Sequence, residues 1–353
     1  SRDDSILAVA TERTLKVWQL CANQPVQNIE VPANLETLDI TDKGDKLIGG
    51  MEGGFMQLWN SRSCQPFCEA YKGNNKNINQ IKFAGDGSVA IAGFKNAYLG
   101  KDDFAVILEG NKGKMLQALV CRDNAGFANA VDLSADGSRA LTGMNDGTVR
   151  LWDTKTGRQI LPSMEGHEGG AYAVALSTDK EGGRILAGAA DGMLRLWDAS
   201  TGEPVGKAMT DEAFAGKKIQ AVVFSPNNDV YISSNVEDRN FGVWDAGTHQ
   251  LLHLLDGHVY GCDLFKTCIS FSSNGTKLFT SAGDTRVVIW DVHSGQELAH
   301  LYVLDENDWA VIMKSGLFDA SPGGMKRLYY VVGLETIELE QLKERYYEPG
   351  LLA

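Results

Sequence analysis

Short apolar runs recur along the whole chain, and polar turns rich in glycine, asparagine and aspartate separate them. Many runs alternate apolar and polar residues, as in "VRLWD" at 149–153, and this alternation predicts β-strands with one buried face. The runs come in groups of four, and the third run of most groups carries a tryptophan. The pattern predicts a series of small antiparallel four-stranded sheets.

The tryptophan-bearing runs recur at a nearly constant interval. If Leu108 in "AVILEG" marks a missing tryptophan, successive spacings are 41, 49, 44, 45, 47 and 46 residues. A period of about 40 to 50 residues is typical of repeat folds. Seven such sheets arranged radially form a propeller, which limits exposed sheet edges to short outer strands. The aligned positions are Trp18, Trp59, Leu108, Trp152, Trp197, Trp244 and Trp290.

Two dipeptides repeat with the same period. Aspartate follows the tryptophan at Trp152, Trp197, Trp244 and Trp290, and Gly-His pairs stand at 166–167 and 257–258. With these pairs the chain resembles the WD40 repeat family over residues 5–304, although its first three units lack both dipeptides. The resemblance implies an all-β, seven-bladed propeller over residues 1–313 and a C-terminal extension, 314–353, with a short helix.

An acidic residue stands six positions before most of the aligned positions, in the turn between the second and third strands. Aspartate suits such turns, and its carboxylate can accept amide or imidazole hydrogen bonds. In the family this aspartate, the histidine and the tryptophan form a structural hydrogen-bonded relay. The resemblance implies two relays, which are His167 with Asp191 and Trp197, and His258 with Asp284 and Trp290. The first is expected to be shorter, because "LAGAAD" carries no hydroxyl.

The ends of the chain raise the question of ring closure. The N-terminal strand "SILAVAT" leads directly into the Trp18 strand, so the first blade lacks an innermost strand. We predict that "WAVIM", residues 309–313, supplies it and closes the ring. Further on, "LETIELEQLKERYYEPG" has acidic residues early and basic residues late, which predicts a short helix.

The segment "GLFDASPGGMKRLYYVVG" resembles one that follows WD40 arrays in large bacterial proteins. Several of those proteins carry a caspase-like peptidase or another effector domain. The resemblance implies a module of a larger bacterial assembly, with such an effector domain in the same chain as one candidate partner.

The formal net charge of −13 opposes nonspecific capture of nucleic acid or of an anionic membrane, and neither is predicted as a partner. No apolar stretch approaches the roughly 18 to 20 residues that span a bilayer. Six scattered cysteines do not make a disulfide scaffold, which favours a reducing cytoplasm.

The sequence contains no nucleophile elbow, phosphate loop or zinc-protease motif. We therefore predict no catalytic residue, cofactor or metal, and a noncatalytic interaction platform, sensor or scaffold. The alternative is a propeller enzyme or a small-ligand-binding protein with its site in the central channel. The inner strands "AVAL" and "AVVF" are small and apolar, which favours the platform.

Partner-binding residues are expected in the loops that lead into the innermost strands. Aromatic side chains beside polar ones are typical anchors at interfaces. Tyr172, Lys218 and Tyr260 are the first candidates, and Phe127 and Phe265 follow, with burial under their own loops as the alternative for both phenylalanines.

Overall fold

A computed structural model of the chain describes residues 1, 5–10, 13–19, 27–72, 77–94, 104–120, 126–179, 183–235, 237–238, 240–256, 258, 268–281, 284, 286–304, 308–332 and 335–351. Seven antiparallel sheets follow one another along these residues. Each of them contains a strand that carries one of the seven aligned positions. The predicted all-β, seven-bladed propeller is confirmed.

The strands of blades one to four are Ile6–Ala10, Thr14–Gln19, Gln27–Glu30; Leu35–Ile40, Lys46–Met51, Phe55–Asn60, Tyr71–Lys72; Ile78–Phe83, Val89–Phe94, Ala105–Glu109, Met115–Leu119; and Ala128–Leu133, Arg139–Met144, Val149–Asp153. Those of blades five to seven are Ala171–Leu176, Arg184–Ala189, Leu194–Asp198; Ile219–Phe224, Val230–Asn235, Phe241–Asp245, Leu251–Leu255; and Cys268–Phe271, Lys277–Ser281, Arg286–Asp291, Glu297–Val303. In blades four and five the outer strand is reduced to isolated bridges, such as Val149 with Met164.

Neighbouring blades pack closely because the second strand of several blades carries a glycine where the next blade approaches. A Cβ atom on Gly188 would lie 2.4 Å from Cγ2 of Ile219, and one on Gly93 would lie 2.8 Å from Cγ1 of Val131. Any larger residue would force the blades apart. The core is therefore a ring of interfaces between sheets, with the inner strands lining a central channel.

Side-chain packing joins the first blade to the last. Leu7 and Val9 of blade one lie against the apolar cluster that contains Val287, Ile289 and Val311. The prediction that residues 309–313 complete blade one was wrong. Strand Trp309–Met313 instead pairs antiparallel with Glu297–Val303 of blade seven, and Ile6–Ala10 pairs only with Thr14–Gln19 among the described strands.

The reason for this pairing is the short connection. The amide of Leu304 donates to the carbonyl of Asp308 at 2.9 Å, so the chain turns back beside the strand it has just left. Phe318–Ala320 then pairs with Trp309–Met313. Residues 309–313 therefore belong to the C-terminal extension and lie on the outer edge of blade seven.

The rest of the extension contains the predicted helix, Leu339–Tyr346, which is confirmed. Glu338 and Gln341 form a reciprocal capping box at its start. A second helix, Pro322–Arg327, was not predicted; the Ser321 hydroxyl accepts from the Gly324 amide at its first turn. A hairpin, Tyr329–Val332 with Glu335–Glu338, joins the two helices.

Candidate interaction face and channel mouth

One end of the ring brings together the loops that lead into the inner strands and the turns between second and third strands. In blade five the Ala190 amide donates to the Gly170 carbonyl at 3.1 Å, and in blade four the Asn145 amide donates to the Phe127 carbonyl at 3.0 Å. We call this end the upper face. The turn at Lys155 lies at the opposite end, the lower face.

The relay of blade seven is continuous in the structure. Nδ1 of His258 lies 3.0 Å from both carboxylate oxygens of Asp284, and its Nε2 lies 2.9 Å from Oγ1 of Thr280. The indole of Trp290 donates to the same Thr280 oxygen at 2.8 Å. Since the carboxylate can only accept, Nδ1 carries the imidazole proton and the Thr280 hydroxyl donates to Nε2.

The pKa of the Asp284 carboxylate in this relay is shifted from its ordinary value. Burial of Asp284 acts to raise its pKa, but hydrogen bonds from His258 and Arg286 outweigh it and lower the pKa to about 2. The side chains of His258 and Asp284 are 0% and 1% exposed. These buried hydrogen bonds join the loop before the inner strand, the second strand and the third strand of blade seven.

The relay of blade five is shorter. His167 Nδ1 lies 3.2 Å from Asp191, and the imidazole meets Trp197 edge-on at a centroid distance of 5.8 Å. Ala187 stands where blade seven has Thr280, and Nε2 of His167 has no hydrogen-bond partner among the described residues. Burial lowers the pKa of His167, and the Asp191 carboxylate opposes this. The neutral form of the His167 imidazole is therefore favoured.

Tyr172 and Lys218 lie against each other at the start of the inner strands of blades five and six. The ammonium of Lys218 is 3.3 Å from the centroid of the Tyr172 ring, which is a cation–π contact. Burial lowers the pKa of Lys218, and Glu237 opposes the shift. The pair presents a half-buried aromatic surface and a cation at the mouth of the channel.

The other three candidates are not part of this pair. Phe127 is half-buried and packs against the apolar core between blades three and four. Tyr260 and Phe265 lie outside the described residues. The structure thus brings Tyr172 and Lys218 together, whereas Phe127 packs with part of its surface against the core.

Five successive inner strands share an irregularity at the same position. In blades two to six the pairing with the second strand skips the second residue of the inner strand, which makes a β-bulge. Bulges redirect side chains and are common beside functional sites. The bulged residues form a collar around the channel mouth: Glu36, Asn79, Asn129, Tyr172 and Gln220.

Four of the collar residues were missed at the sequence level. The available signal was their common register position, the second residue of each inner run. Asn129 stands out because it is 8% exposed and its Nδ2 has no hydrogen-bond partner among the described residues. A buried amide donor without a partner carries a free-energy cost.

Deeper in the channel the inner strands add charged residues to the small, apolar ones. Lys82 lies 3.5 Å from Asp39, and Asp132 is near both. Asp39 accepts the Phe83 amide at 2.7 Å, and Asp132 accepts the Leu176 amide at 2.7 Å, so each carboxylate ties its blade to the next. Burial of Asp132 raises its pKa to about 6, although Lys82 counteracts this.

No group of three or more histidine, cysteine, aspartate or glutamate side chains in the described part of the chain could hold a metal ion. The described helices are all too short or too polar to cross a membrane.

Comparison with known proteins identifies repeats in three parts of the chain. The family model described as WD domain, G-beta repeat matches residues 115–153, 158–198 and 249–291. Each match begins near an outer strand and ends at the aspartate after a tryptophan, so each spans parts of two adjacent blades.

A human protein and a designed protein are among those that this chain resembles. Human WD repeat-containing protein 86 is 51% identical over 49 residues, which make up 14% of this chain and 13% of that protein. The match therefore spans a small part of the relative's length. The crystal structure of the computationally designed Ika8 protein superposes with a TM-score of 0.61 at 22% identity, covering 89% of this chain and 92% of that one. This likeness concerns the fold alone.

Proposed function

Because the chain carries WD40 repeats, we propose that it is a noncatalytic protein-interaction platform whose partner docks on the upper face at the channel mouth. Rigid rings that display short loops around one opening are suited to binding. The observation that carries the proposal is the contact between Lys218 and Tyr172, which is one of the collar residues.

The chemistry of the mouth supports an extended peptide segment as the docking element. Tyr172 offers an aromatic surface, and Lys218 offers a half-buried donor. A carbonyl or carboxylate group of a partner segment would satisfy this donor, and the ring would pack against the segment's apolar atoms. The net charge of −13 supports a protein partner over nucleic acid.

Affinity capture from the source cell tests this proposal with a double substitution, Tyr172→Ala with Lys218→Ala. We expect at least a tenfold loss of the captured partner without loss of the folded ring, because removal of two anchors costs on the order of 1.4 kcal/mol or more. The matched control is Lys155→Ala with Arg158→Ala, two exposed residues near the lower face. Equal capture by both double variants would remove the upper face from consideration.

The alternative function, a small-ligand site in the channel, rests on Asp39, Lys82 and Asp132. Both carboxylates already accept a backbone amide of the next blade, which favours a fastening role over binding. A place in a larger bacterial assembly, an effector domain such as a caspase-like peptidase as partner, and a cytoplasmic location remain predictions from the sequence.

A further inference from the structure

A pocket of about 120 Å³ lies on the flank of blade five, away from the channel mouth. Its walls are the Trp197 strand and the outer segment 204–208, and the loop that leads into the blade contributes Glu165. The charged residues that line it are Arg195, Lys207 and Glu165.

Arg195 is unusual because its guanidinium has no hydrogen bond or ion pair to any described residue, and its Nε is buried. The side chain passes within 3.4 Å of the place where a Cβ on Gly166 would stand, so it lies under the loop that carries Glu165. A buried donor on a cation is costly to leave unpaired. An anion bound in the pocket would give the guanidinium a partner that the described residues do not provide.

The neighbouring blade provides an internal comparison. Arg150 occupies the same register position in blade four, where it contacts Asp146 at 3.4 Å and the Thr148 hydroxyl at 3.1 Å. In blade five the equivalent carboxylate, Asp191, is engaged by His167 and by the amides of Glu168 and Met193.

Methionine also replaces threonine at position 193, so blade five lacks the hydroxyl that Thr148 offers to Arg150. Arg195 therefore has no counterpart of the two contacts that Arg150 makes with a carboxylate and with a hydroxyl. Blade five differs from blade four both in the partners of its carboxylate and in the residue at position 193.

The opposite wall adds a second cation. Lys207 is exposed and lines the pocket, and the equivalent position in blade four is Pro162. Of blades four and five, only blade five has an arginine without a hydrogen-bond partner on one wall of the pocket and a lysine on the other. Glu165 is exposed on the rim, where water screens its charge more than it screens the charge of the half-buried Arg195.

We propose that this pocket binds a phosphoryl group between Arg195 and Lys207. The guanidinium fork matches two oxygens of a tetrahedral oxyanion, and an ammonium supplies a point charge to a third. Two cations facing one rim carboxylate favour a dianion over a singly charged carboxylate. The group is either free phosphate or the phosphorylated side chain of a partner.

Thermal unfolding with inorganic phosphate, at ionic strength held constant with sodium chloride, tests the site. For wild-type protein we expect Tm to rise by about 2 °C at phosphate about tenfold above Kd. Arg195→Gln and Lys207→Gln should each weaken phosphate affinity at least tenfold, as measured by calorimetric titration. The matched control Arg158→Gln, an exposed arginine in blade four, should keep the wild-type response.

Two results would overturn the proposal. One is an equal rise of Tm in wild type, Arg195→Gln and Arg158→Gln, which would indicate a general salt effect. The other is no change of the wild-type Tm with phosphate. O-phosphoserine, tested beside phosphate, identifies the source: a stronger response to it indicates a phosphorylated partner, and an equal one indicates free phosphate. Both readouts are independent of partner capture at the upper face.

Discussion

Asp132→Asn offers the sharpest test of how the channel is held together. The carboxylate of Asp132 accepts the Leu176 amide at 2.7 Å and so joins blade four to blade five. An asparagine side-chain oxygen can accept the same hydrogen bond without carrying a charge. The substitution therefore removes the cost of the buried charge while it keeps the contact between the blades.

The magnitude follows from the pKa. Burial raises the pKa of Asp132 from 3.8 to about 6, so the folded state favours the protonated form. A pKa displacement of this size corresponds to about 3 kcal/mol. Because the folded-state pKa is the higher one, wild-type stability should be lost as pH rises from about 4 through about 6.

Urea unfolding from about pH 4 to about pH 8 measures the effect. We expect Asp132→Asn to match wild type near pH 4 and to exceed it by about 2–3 kcal/mol above pH 7 or so. The exposed Asp256→Asn serves as the control and should show no such growing difference. The reasoning would be refuted if Asp132→Asn were less stable than wild type at neutral pH, since the carboxylate would then be stabilised by folding.

Two further substitutions test the relay and the packing between blades. Ala187→Thr should be more stable than its isostere Ala187→Val by about 1–2 kcal/mol, because the hydroxyl gives His167 the partner that Thr280 gives His258; equal stability in urea unfolding would contradict this. Gly188→Ala should lower stability by about 1–3 kcal/mol, because its Cβ would meet Ile219 at 2.4 Å. Gly247→Ala, where the new Cβ lies 3.5 Å from its nearest neighbour, is the control, and an equal loss there would count against close packing between blades.

The repeat made most of the fold predictable. Strand alternation and the spacing of the tryptophans define seven sheets even at Leu108, where the marker residue is missing, because the buried face recurs with the same period. The tail was harder, since "WAVIM" has the pattern of an inner strand. Pairing depends on where the connecting turn returns the chain, and the turn from Leu304 to Asp308 returns it to blade seven.

The candidate site was less predictable for two reasons. Loop residues carry no periodic signal, so the proximity of Tyr172 and Lys218 depended on the geometry between two blades. The collar and the channel charges were hidden for the opposite reason, because they sit inside runs dominated by apolar residues. Asn129 and Asp132 become prominent only when the inner strands of several blades are brought around one axis.

The central claim is that a protein partner binds the upper face, and site-specific photocrosslinking tests it most directly. A photoreactive residue at the exposed upper-face position Glu168 should crosslink to the captured partner, whereas the same residue at the exposed lower-face position Lys155 should not. Crosslinks to the partner are expected from position 168 and not from position 155. They should disappear when Tyr172 and Lys218 are both replaced by alanine. Crosslinks from position 155 without any from position 168 would contradict it.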